Sequence, residues 1–217
     1  KARGNPLPDA NALIIVEVDG ETDEIIQRDL KIVEEVAKEQ NATTVTPSLD
    51  PKVIAKWNDA RKSVLASLSA LKPGYSCVSL ADDMGVPISK VPEAVERFQA
   101  ITRKYNVIVA VYGHASDGNL HTKMLLKVGD KDEWDRGIAA VDEIFKASVE
   151  LGGTVTGEHG VGISKALNFQ EERKTELDCI LAIKQAMDPK NILNPGKAAQ
   201  WRGSPLRNLR YPCKEYM

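Results

Sequence analysis

The alternation of apolar and polar residues along the chain predicts a succession of strands and helices. In the first part of the chain, apolar or β-branched runs predict strands over Ala12–Val18 and Thr43–Thr46. Apolar residues at helical spacing predict one helix that follows a cap at Asp23 and runs to Gln40, and a second from Pro51 to about Leu71. This part is therefore expected to add a β-α-β-α series to the fold.

The rest of the chain predicts a longer series. Its elements are the strand Ser76–Leu80, the helix Val91–Tyr105, the strands Val107–Gly113 and Asn119–Val128, the helix Lys131–Leu151, the strand Thr154–Thr156 and the helix Glu176–Met187. The order β-α-β-β-α-β is that of a ferredoxin-like, split β-α-β unit. We therefore expect an α+β fold in which ferredoxin-like units share an antiparallel sheet with helices packed on one face. One domain is expected over residues 1–197, with a C-terminal tail over 198–217.

Composition narrows the possible partners and location. The net charge is −2, from 29 basic and 31 acidic residues that are well mixed, which argues against a nucleic-acid partner. No apolar run approaches the roughly 18 residues that a membrane-spanning helix needs. Cys77, Cys179 and Cys213 are far apart and form no C-x-x-C pair, so a reducing compartment and a cytoplasmic location are expected.

The apolar pattern around Asp117-Gly118 predicts a hairpin that carries two of the three histidines. An Asp-Gly dipeptide between apolar runs is the strongest short-range signal for a two-residue turn. A turn at this position would place His114 directly opposite His121. Facing residues hold their Cβ atoms roughly 4.5–5.5 Å apart, so the two imidazoles could meet at one ion. Ordinary half-buried histidines remain an alternative.

The third histidine lies in a glycine-rich segment, at Glu158-His159. Two imidazoles and a carboxylate are a common ligand set for Zn²⁺, Mn²⁺ or Fe²⁺, so His114, His121 and Glu158 are candidate metal ligands. His159 would then be free for acid–base work, since imidazole exchanges protons near neutral pH. The glycines also suggest a phosphate cradle, but the lysine of a Walker A loop is missing. Arg61, on the second predicted helix, could clamp a carboxylate or simply be solvated.

Three segments in register resemble the C-terminal domain of the FAD-linked 2-hydroxy-acid oxidases and dehydrogenases, which include glycolate oxidase, D-lactate dehydrogenase and D-2-hydroxyglutarate dehydrogenase. The segments are Gly113-His114-Ala115-x-Asp117-Gly118-Asn119-Leu120-His121, Gly152-Gly153-Thr154-Val155-Thr156-Gly157-Glu158-His159-Gly160-Val161-Gly162 and Asp188-Pro189-x-Asn191-Ile192-Leu193-Asn194-Pro195-Gly196-Lys197. Weaker matches are Ile15-Val16-Glu17-Val18-Asp19-Gly20, Ala60-Arg61-Lys62 and Asp83-x-x-Val86-Pro87.

The resemblance implies a substrate domain that covers the flavin of an FAD held mainly by a separate N-terminal domain. It assigns the divalent metal to His114, His121 and Glu158, and the catalytic base to His159. Arg61 would bind the substrate carboxylate, and Asn194 and Lys197 would lie near the flavin or the domain junction. The implied reaction oxidises a small 2-hydroxy acid, such as glycolate or D-lactate, to the 2-oxo acid.

The FAD-binding domain is absent from this sequence, so the isolated chain is expected to be inactive. Expected partners are that domain, an electron-accepting subunit and a second copy in a homodimer. Association with a membrane through partners, or a mitochondrial location in a eukaryote, is compatible with the resemblance. Two other functions stay open, namely a self-contained metal-dependent hydrolase and a ferredoxin-like interaction module whose histidines are structural.

Overall fold

A computed structural model describes residues 10–80 and 82–202. They fall into two compact units, one ending at Ser67 and one beginning at Leu68. The domain expected over residues 1–197 and the tail expected over 198–217 stay predictions. Cys213 and residues 203–217 of that tail lie outside the described part of the chain.

The first unit is helical. Its elements are α1 (Asp23–Glu39), α2 (Pro51–Lys62) and, at the boundary, α3 (Val64–Ser69). Asp50 caps α2 by accepting a hydrogen bond from the Lys52 N–H at 2.8 Å. The single helix predicted from Pro51 to Leu71 is wrong, because it is interrupted at Ser63. The Ser63 hydroxyl donates to the Ala60 carbonyl at 2.8 Å, and such local bonds compete with a regular helix.

The two strands predicted in the first part of the chain are not formed within the described residues. Residues 12–18 and 43–46 belong to no strand there, and the apolar side chains Leu13 to Val16 are between 44% and 70% exposed. A strand exists only when a second strand satisfies its N–H and C=O groups, and an apolar run does not specify that partner. The pattern therefore predicted extended backbone but not pairing.

The second unit contains the sheet. Its strands are β1 (Tyr75–Val78), β2 (Met84–Gly85), β3 (Ile108–His114) and β4 (Asn119–Lys127). β4 is central: β3 pairs along one edge, while β1 and β2 pair with opposite ends of the other edge, and all pairs are antiparallel. The predicted strand Thr154–Thr156 is reduced to one antiparallel bridge between Gly85 and Thr154. Helices together with an antiparallel sheet confirm the α+β class.

Helices cover one face of this sheet. They are α4 (Val91–Tyr105) and α5 (Lys131–Glu150), followed along the chain by α6 (Ala166–Glu172) and α7 (Leu177–Met187). Successive side chains of a strand point to opposite faces, and Leu120, Met124 and Leu126 of β4 join the helices in the main core. Phe98 and Trp134 are among the fully buried side chains. Burying one such side chain stabilises the fold by about 1.5–3 kcal/mol.

The alternate residues of β4 point to the other face of the sheet. His121, Lys123 and Leu125 are all buried there. Directly paired residues share a face, so β3 contributes His114 and Tyr112 to the same surface. One face of β4 thus builds the core, and the other carries the residues whose side chains can bind ions or transfer protons.

The predicted register of the hairpin is wrong by two residues. His114 pairs with Asn119 and His121 pairs with Tyr112, so residues 115–118 form a four-residue turn. The Gly118 N–H donates to the His114 carbonyl at 3.1 Å within this turn. A shift of two residues keeps every side chain on its face. His114 and His121 therefore become diagonal neighbours on one face, and their ring centroids are 5.7 Å apart.

Gly118 fixes the hairpin against the neighbouring edge, and its replacement by alanine is expected to destabilise the second unit. Its φ is +80°, and an added Cβ would lie 1.9 Å from the Val86 carbonyl oxygen. This oxygen belongs to the backbone, so it cannot move aside as the end of a flexible side chain could. Gly129 is a matched control, since its φ is +79° and an added Cβ meets nothing within 4 Å. Gly129→Ala should cost about 1–2 kcal/mol, the penalty of the left-handed conformation alone. Equal losses in the two variants on urea unfolding would contradict the steric role of Gly118.

Of the helices in the described residues, none combines the length and the apolar character required to cross a bilayer.

Two cysteines lie in the described part of the chain. Cys77 is half-buried and Cys179 is exposed, and both are free thiols. Burial raises the pKa of the Cys77 thiol, which makes it a poor nucleophile.

Candidate functional site

The edge of the sheet opposite β3 is interrupted, and the interruption supplies two carboxylates to the histidine-bearing face. β1 ends at Val78 and β2 begins at Met84, so the residues between them leave the strand geometry. Asp82 there contacts His121, and Asp83 contacts the backbone of the glycine-rich segment. The break thus places acidic side chains where an unbroken strand would have continued the ladder.

All three histidines converge on one carboxylate oxygen. The Oε1 atom of Glu158 lies 3.1 Å from His121 Nε2, 3.5 Å from His159 Nε2 and 3.6 Å from His114 Nε2. The predicted ligands are therefore brought together, and the predicted base lies beside them. The side chain of His121 is only 7% exposed, whereas those of Glu158 and His159 are 48% and 62% exposed. The site is consequently closed at His121 and open to solvent at His159.

The protonation of His121 follows from its second neighbour. Its Nδ1 lies 3.2 Å from Asp82 Oδ1, and a carboxylate accepts hydrogen bonds, so we assign the ring proton to Nδ1. In a neutral ring the Nε2 atom then presents a lone pair to Glu158 Oε1 at 3.1 Å. Two lone pairs at this distance repel each other. A cation between them, or an additional proton, removes the repulsion.

Asp83 anchors the loop that carries Glu158 and His159. Its carboxylate accepts from the Glu158 N–H at 2.6 Å and from the His159 N–H at 2.9 Å. It also accepts from Lys165 Nζ at 2.8 Å and from Asn119 Nδ2 at 3.0 Å. Burial opposes ionisation of Asp83, but these hydrogen bonds outweigh it and lower its pKa. Asp83 is fully buried with φ at +73°, a conformation rarely adopted by residues other than glycine.

The glycine next to Glu158 is required by this packing. A Cβ at Gly157 would lie 2.0 Å from the Asn119 side-chain nitrogen and 2.9 Å from Asp83 Oδ1. The Gly157 N–H itself donates to the Asp83 carbonyl at 2.9 Å. Close packing of the backbone against buried side chains leaves no room for a Cβ and favours glycine. Gly157 therefore allows the loop to reach its anchor.

The available donors fit a divalent transition metal. The ligand atoms of Asp83, His121, Glu158 and His159 lie within 4.8 Å of one another. Both oxygens of Asp83 already accept hydrogen bonds, which leaves imidazole nitrogens and one carboxylate, with His114 close by. Imidazole and carboxylate are the ligand types that Zn²⁺, Mn²⁺ and Fe²⁺ share. A site for such an ion is compatible with the predicted set, and His159 lies beside it.

Tyr112 adds a hydrogen-bond donor to the site. Its ring centroid is 5.4 Å from that of His121. Burial raises the pKa of the Tyr112 hydroxyl, and the negative charge of Asp82 raises it further. The phenol therefore stays protonated beside the imidazoles.

The other predicted residues lie elsewhere. Arg61 is exposed on α2, in the first unit. Asn194 and Lys197 lie in the loop after α7, both exposed, and the Lys197 N–H donates to the Asn194 carbonyl at 3.3 Å. The next residue, Ala198, donates its N–H to the Gly162 carbonyl at 2.8 Å. This contact joins the C-terminal loop to the glycine-rich segment that carries Glu158.

Sequence reasoning missed the residues that support the site. Asp82, Lys123 and Lys165 were not proposed, and Asp83 entered only through a weak motif match. The available signal was an acidic pair next to a predicted strand, before Gly85-Val86-Pro87. Nothing local in that pair indicates which distant side chains it contacts.

The chain is similar in sequence to known proteins. The family described as FAD linked oxidases, C-terminal domain, matches residues 2–198. The glycolate oxidase subunit GlcD of Bacillus subtilis (strain 168) is 39% identical over 189 residues, which cover 87% of this chain and 39% of that protein. The same subunit of Escherichia coli (strain K12) is 30% identical over 87% of the chain and 37% of its own length.

A probable mitochondrial D-lactate dehydrogenase of Danio rerio is 28% identical over 81% of the chain and 35% of its own length. The chain therefore spans between a third and two-fifths of the length of these relatives.

Proposed function

This chain belongs to the family of FAD-linked oxidase C-terminal domains, and on that premise we propose that it is the substrate- and metal-binding domain of an FAD-dependent 2-hydroxy-acid dehydrogenase or oxidase. The proposed substrate is glycolate or D-lactate, and the product is the corresponding 2-oxo acid. The observation that carries the proposal is the convergence of three imidazoles on Glu158 Oε1, on a face of the sheet that the main core does not use.

We propose that His114, His121 and Glu158 hold a divalent ion, Zn²⁺, Mn²⁺ or Fe²⁺. Such an ion, when bound, supplies a positive charge that attracts the substrate carboxylate and acidifies the 2-hydroxyl. The lone-pair conflict between His121 Nε2 and Glu158 Oε1 supports this assignment. The chain's own part is to hold the donors at the observed separations, which the Asp83 anchor does.

His159 is the proposed catalytic base. Its ring centroid is 5.5 Å from that of His121, and its side chain is the most exposed of the three imidazoles. An exposed ring next to the ligand cluster can accept the proton of the 2-hydroxyl at Nε2 and release it to solvent. His121, by contrast, is buried and committed to Asp82.

The oxidant is proposed to come from FAD, bound mainly by an N-terminal FAD domain that acts as partner to this chain. A bound flavin supplies the acceptor for the hydride of the substrate. Asn194 and Lys197 are proposed to contact it or the domain junction. The hydrogen bond from Ala198 to Gly162 supports this role, because it ties their loop to the segment of Glu158 and His159.

Arg61 is proposed to bind the substrate carboxylate. Its guanidinium can form two parallel hydrogen bonds with a carboxylate, and it is exposed on α2. Arg61→Lys should raise KM about tenfold with kcat retained, because a lysine offers no bidentate geometry. Arg28→Lys is the control, since Arg28 is exposed and forms an ion pair with its neighbour Asp29. An unchanged KM in steady-state assays of Arg61→Lys would rule out this role.

Finer points of fold and assembly remain proposals as well. We propose that the second unit follows the ferredoxin-like, split β-α-β order, and the Gly85–Thr154 bridge supports a residual last strand of that order beside β2. The electron-accepting subunit, the homodimer and the cytoplasmic location also remain predictions.

Anaerobic reduction of the flavin tests the proposed reaction. The protein with its FAD domain, fused or supplied separately, should lose the visible absorbance of oxidised flavin when glycolate or D-lactate is added. A 3-hydroxy acid is the control, because its hydroxyl and carboxylate cannot take the same position at one metal ion. Bleaching by neither 2-hydroxy acid would contradict the proposal. Metal-dependent ester or amide hydrolysis without flavin would instead favour the hydrolase alternative.

A further inference from the structure

We infer that Asp82 and Lys123 form a positioning pair that fixes the ring of His121 with its proton on Nδ1 and its Nε2 free for a ligand. The inference deepens the proposed function, because it rests on His121 acting as a metal ligand. Neither residue touches Glu158 in the structure, so both act through His121.

Three contacts define the arrangement. Asp82 Oδ1 lies 3.2 Å from His121 Nδ1, while Asp82 Oδ2 accepts from Lys123 Nζ. Lys123 Nζ also donates to Ser79 Oγ at 2.5 Å. His121 and Lys123 are two residues apart on one face of β4. The strand therefore sets the spacing between the ring and the ammonium group, and Asp82 bridges them.

Burial holds the three side chains in fixed positions. The side chains of His121, Lys123 and Asp82 are 7%, 10% and 17% exposed. Water therefore competes weakly for Asp82, and the carboxylate has two strong partners in fixed positions. The Lys123 ammonium neutralises Asp82, which prevents an excess negative charge behind the ring. The same ammonium group donates hydrogen bonds to Asp82 and Ser79, so Lys123 is not a free cation for the substrate carboxylate.

A stability role alone does not account for this geometry. Buried ion pairs are often no more stabilising than apolar residues of similar volume. The carboxylate instead lies at the nitrogen opposite the one that faces Glu158. Carboxylates in this position behind a metal-bound imidazole orient the ring and make it a stronger ligand, and their loss weakens metal binding about 10- to 100-fold.

The first test is the position of the ring proton in the wild-type 217-residue chain. ¹⁵N-correlated NMR of the His121 ring should show a hydrogen-bonded proton on Nδ1, both without metal and with Zn²⁺. This readout does not require any variant to fold, and it does not depend on metal binding. An Nδ1 without a proton would overturn the inference. A correct Nδ1 proton without any Zn²⁺ binding would leave the positioning intact and contradict the metal site of the proposed function.

The second test is Zn²⁺ affinity by titration calorimetry. Asp82→Asn should weaken binding about 10- to 100-fold and speed the exchange of the Nδ1 proton. Asp135→Asn is the matched control, because Asp135 is exposed and its ion pair with Lys131 on α5 is also exposed. The double variant Asp82→Asn/Lys123→Met removes both charges and avoids an unpaired buried lysine, so it should fold well yet bind Zn²⁺ weakly. Wild-type affinity in a folded double variant would overturn the inference.

Discussion

Asp83→Ala is expected to lower the free energy of unfolding of the second unit by about 3–5 kcal/mol, because it leaves a buried charge without its partner. The Lys165 ammonium lies 2.8 Å from Asp83, and the two side chains are 7% and 1% exposed. The N–H groups of Glu158 and His159 lose their acceptor in the same variant. Urea unfolding followed by circular dichroism measures the loss.

Two variants distinguish the effect of the unpaired Lys165 charge from the effect of losing Asp83 as a hydrogen-bond acceptor. Asp135→Ala removes an aspartate from an exposed ion pair and should change stability by less than about 0.5 kcal/mol. Asp83→Asn/Lys165→Met removes the unpaired charge but keeps an acceptor, so it should recover part of the stability lost in Asp83→Ala. If Asp83→Ala unfolded at the same urea concentration as Asp135→Ala, the anchoring role of Asp83 would be wrong.

Glu158→Gln is expected to weaken Zn²⁺ binding by about 100-fold or more, roughly one ligand's share of the free energy of a structural zinc site. The amide keeps the size of the side chain but lacks the charge that balances the ion. Stability should change little, because the Glu158 side chain is 48% exposed. Titration calorimetry measures the affinity, and the loss of flavin reduction by substrate should follow it in the protein with its FAD domain.

Glu171→Gln is the control for this substitution. Its side chain is 80% exposed and forms an exposed ion pair with Lys174, so the variant should bind Zn²⁺ as the wild type does. Equal affinity in Glu158→Gln and Glu171→Gln would exclude Glu158 as a ligand. A drop in both would point to a general effect of charge on the chain rather than to a defined site.

The sequence predicted the parts of the fold that depend on local periodicity. α4 has the predicted bounds and α5 ends one residue earlier than expected, because the apolar stripe that defines each helix lies within its own segment. The common face of His114 and His121 was also predicted, although the predicted register was wrong by two residues. The Asp117-Gly118 signal indicates where a chain turns, but it does not distinguish a two-residue turn from a four-residue turn that includes it.

The supporting residues of the site could not be predicted in the same way. The strand predicted over Ser76–Leu80 ends at Val78 in the structure, and that early end brings Asp82 and Asp83 to the site. The end of an edge strand depends on what the central strand offers as a partner, which no local pattern records. Contacts such as Asp83 to His159 join residues 76 apart in sequence. The residue types of His114, His121 and Glu158 suggest a metal site directly from the sequence. The role of Asp83 can be recognised only from its contacts in the folded chain.

The Asp83 anchor binds the main chain at positions 158 and 159 and does not use their side chains. Any non-proline residue presents the same N–H groups, so the loop should keep its path when the side chains at these positions are exchanged. Scaffold and ligand set are therefore separable in this unit. Cysteine or aspartate at position 158 would place a softer or a shorter side chain beside the same imidazoles, which makes the unit a starting point for changing the metal preference of the proposed site without redesigning its fold.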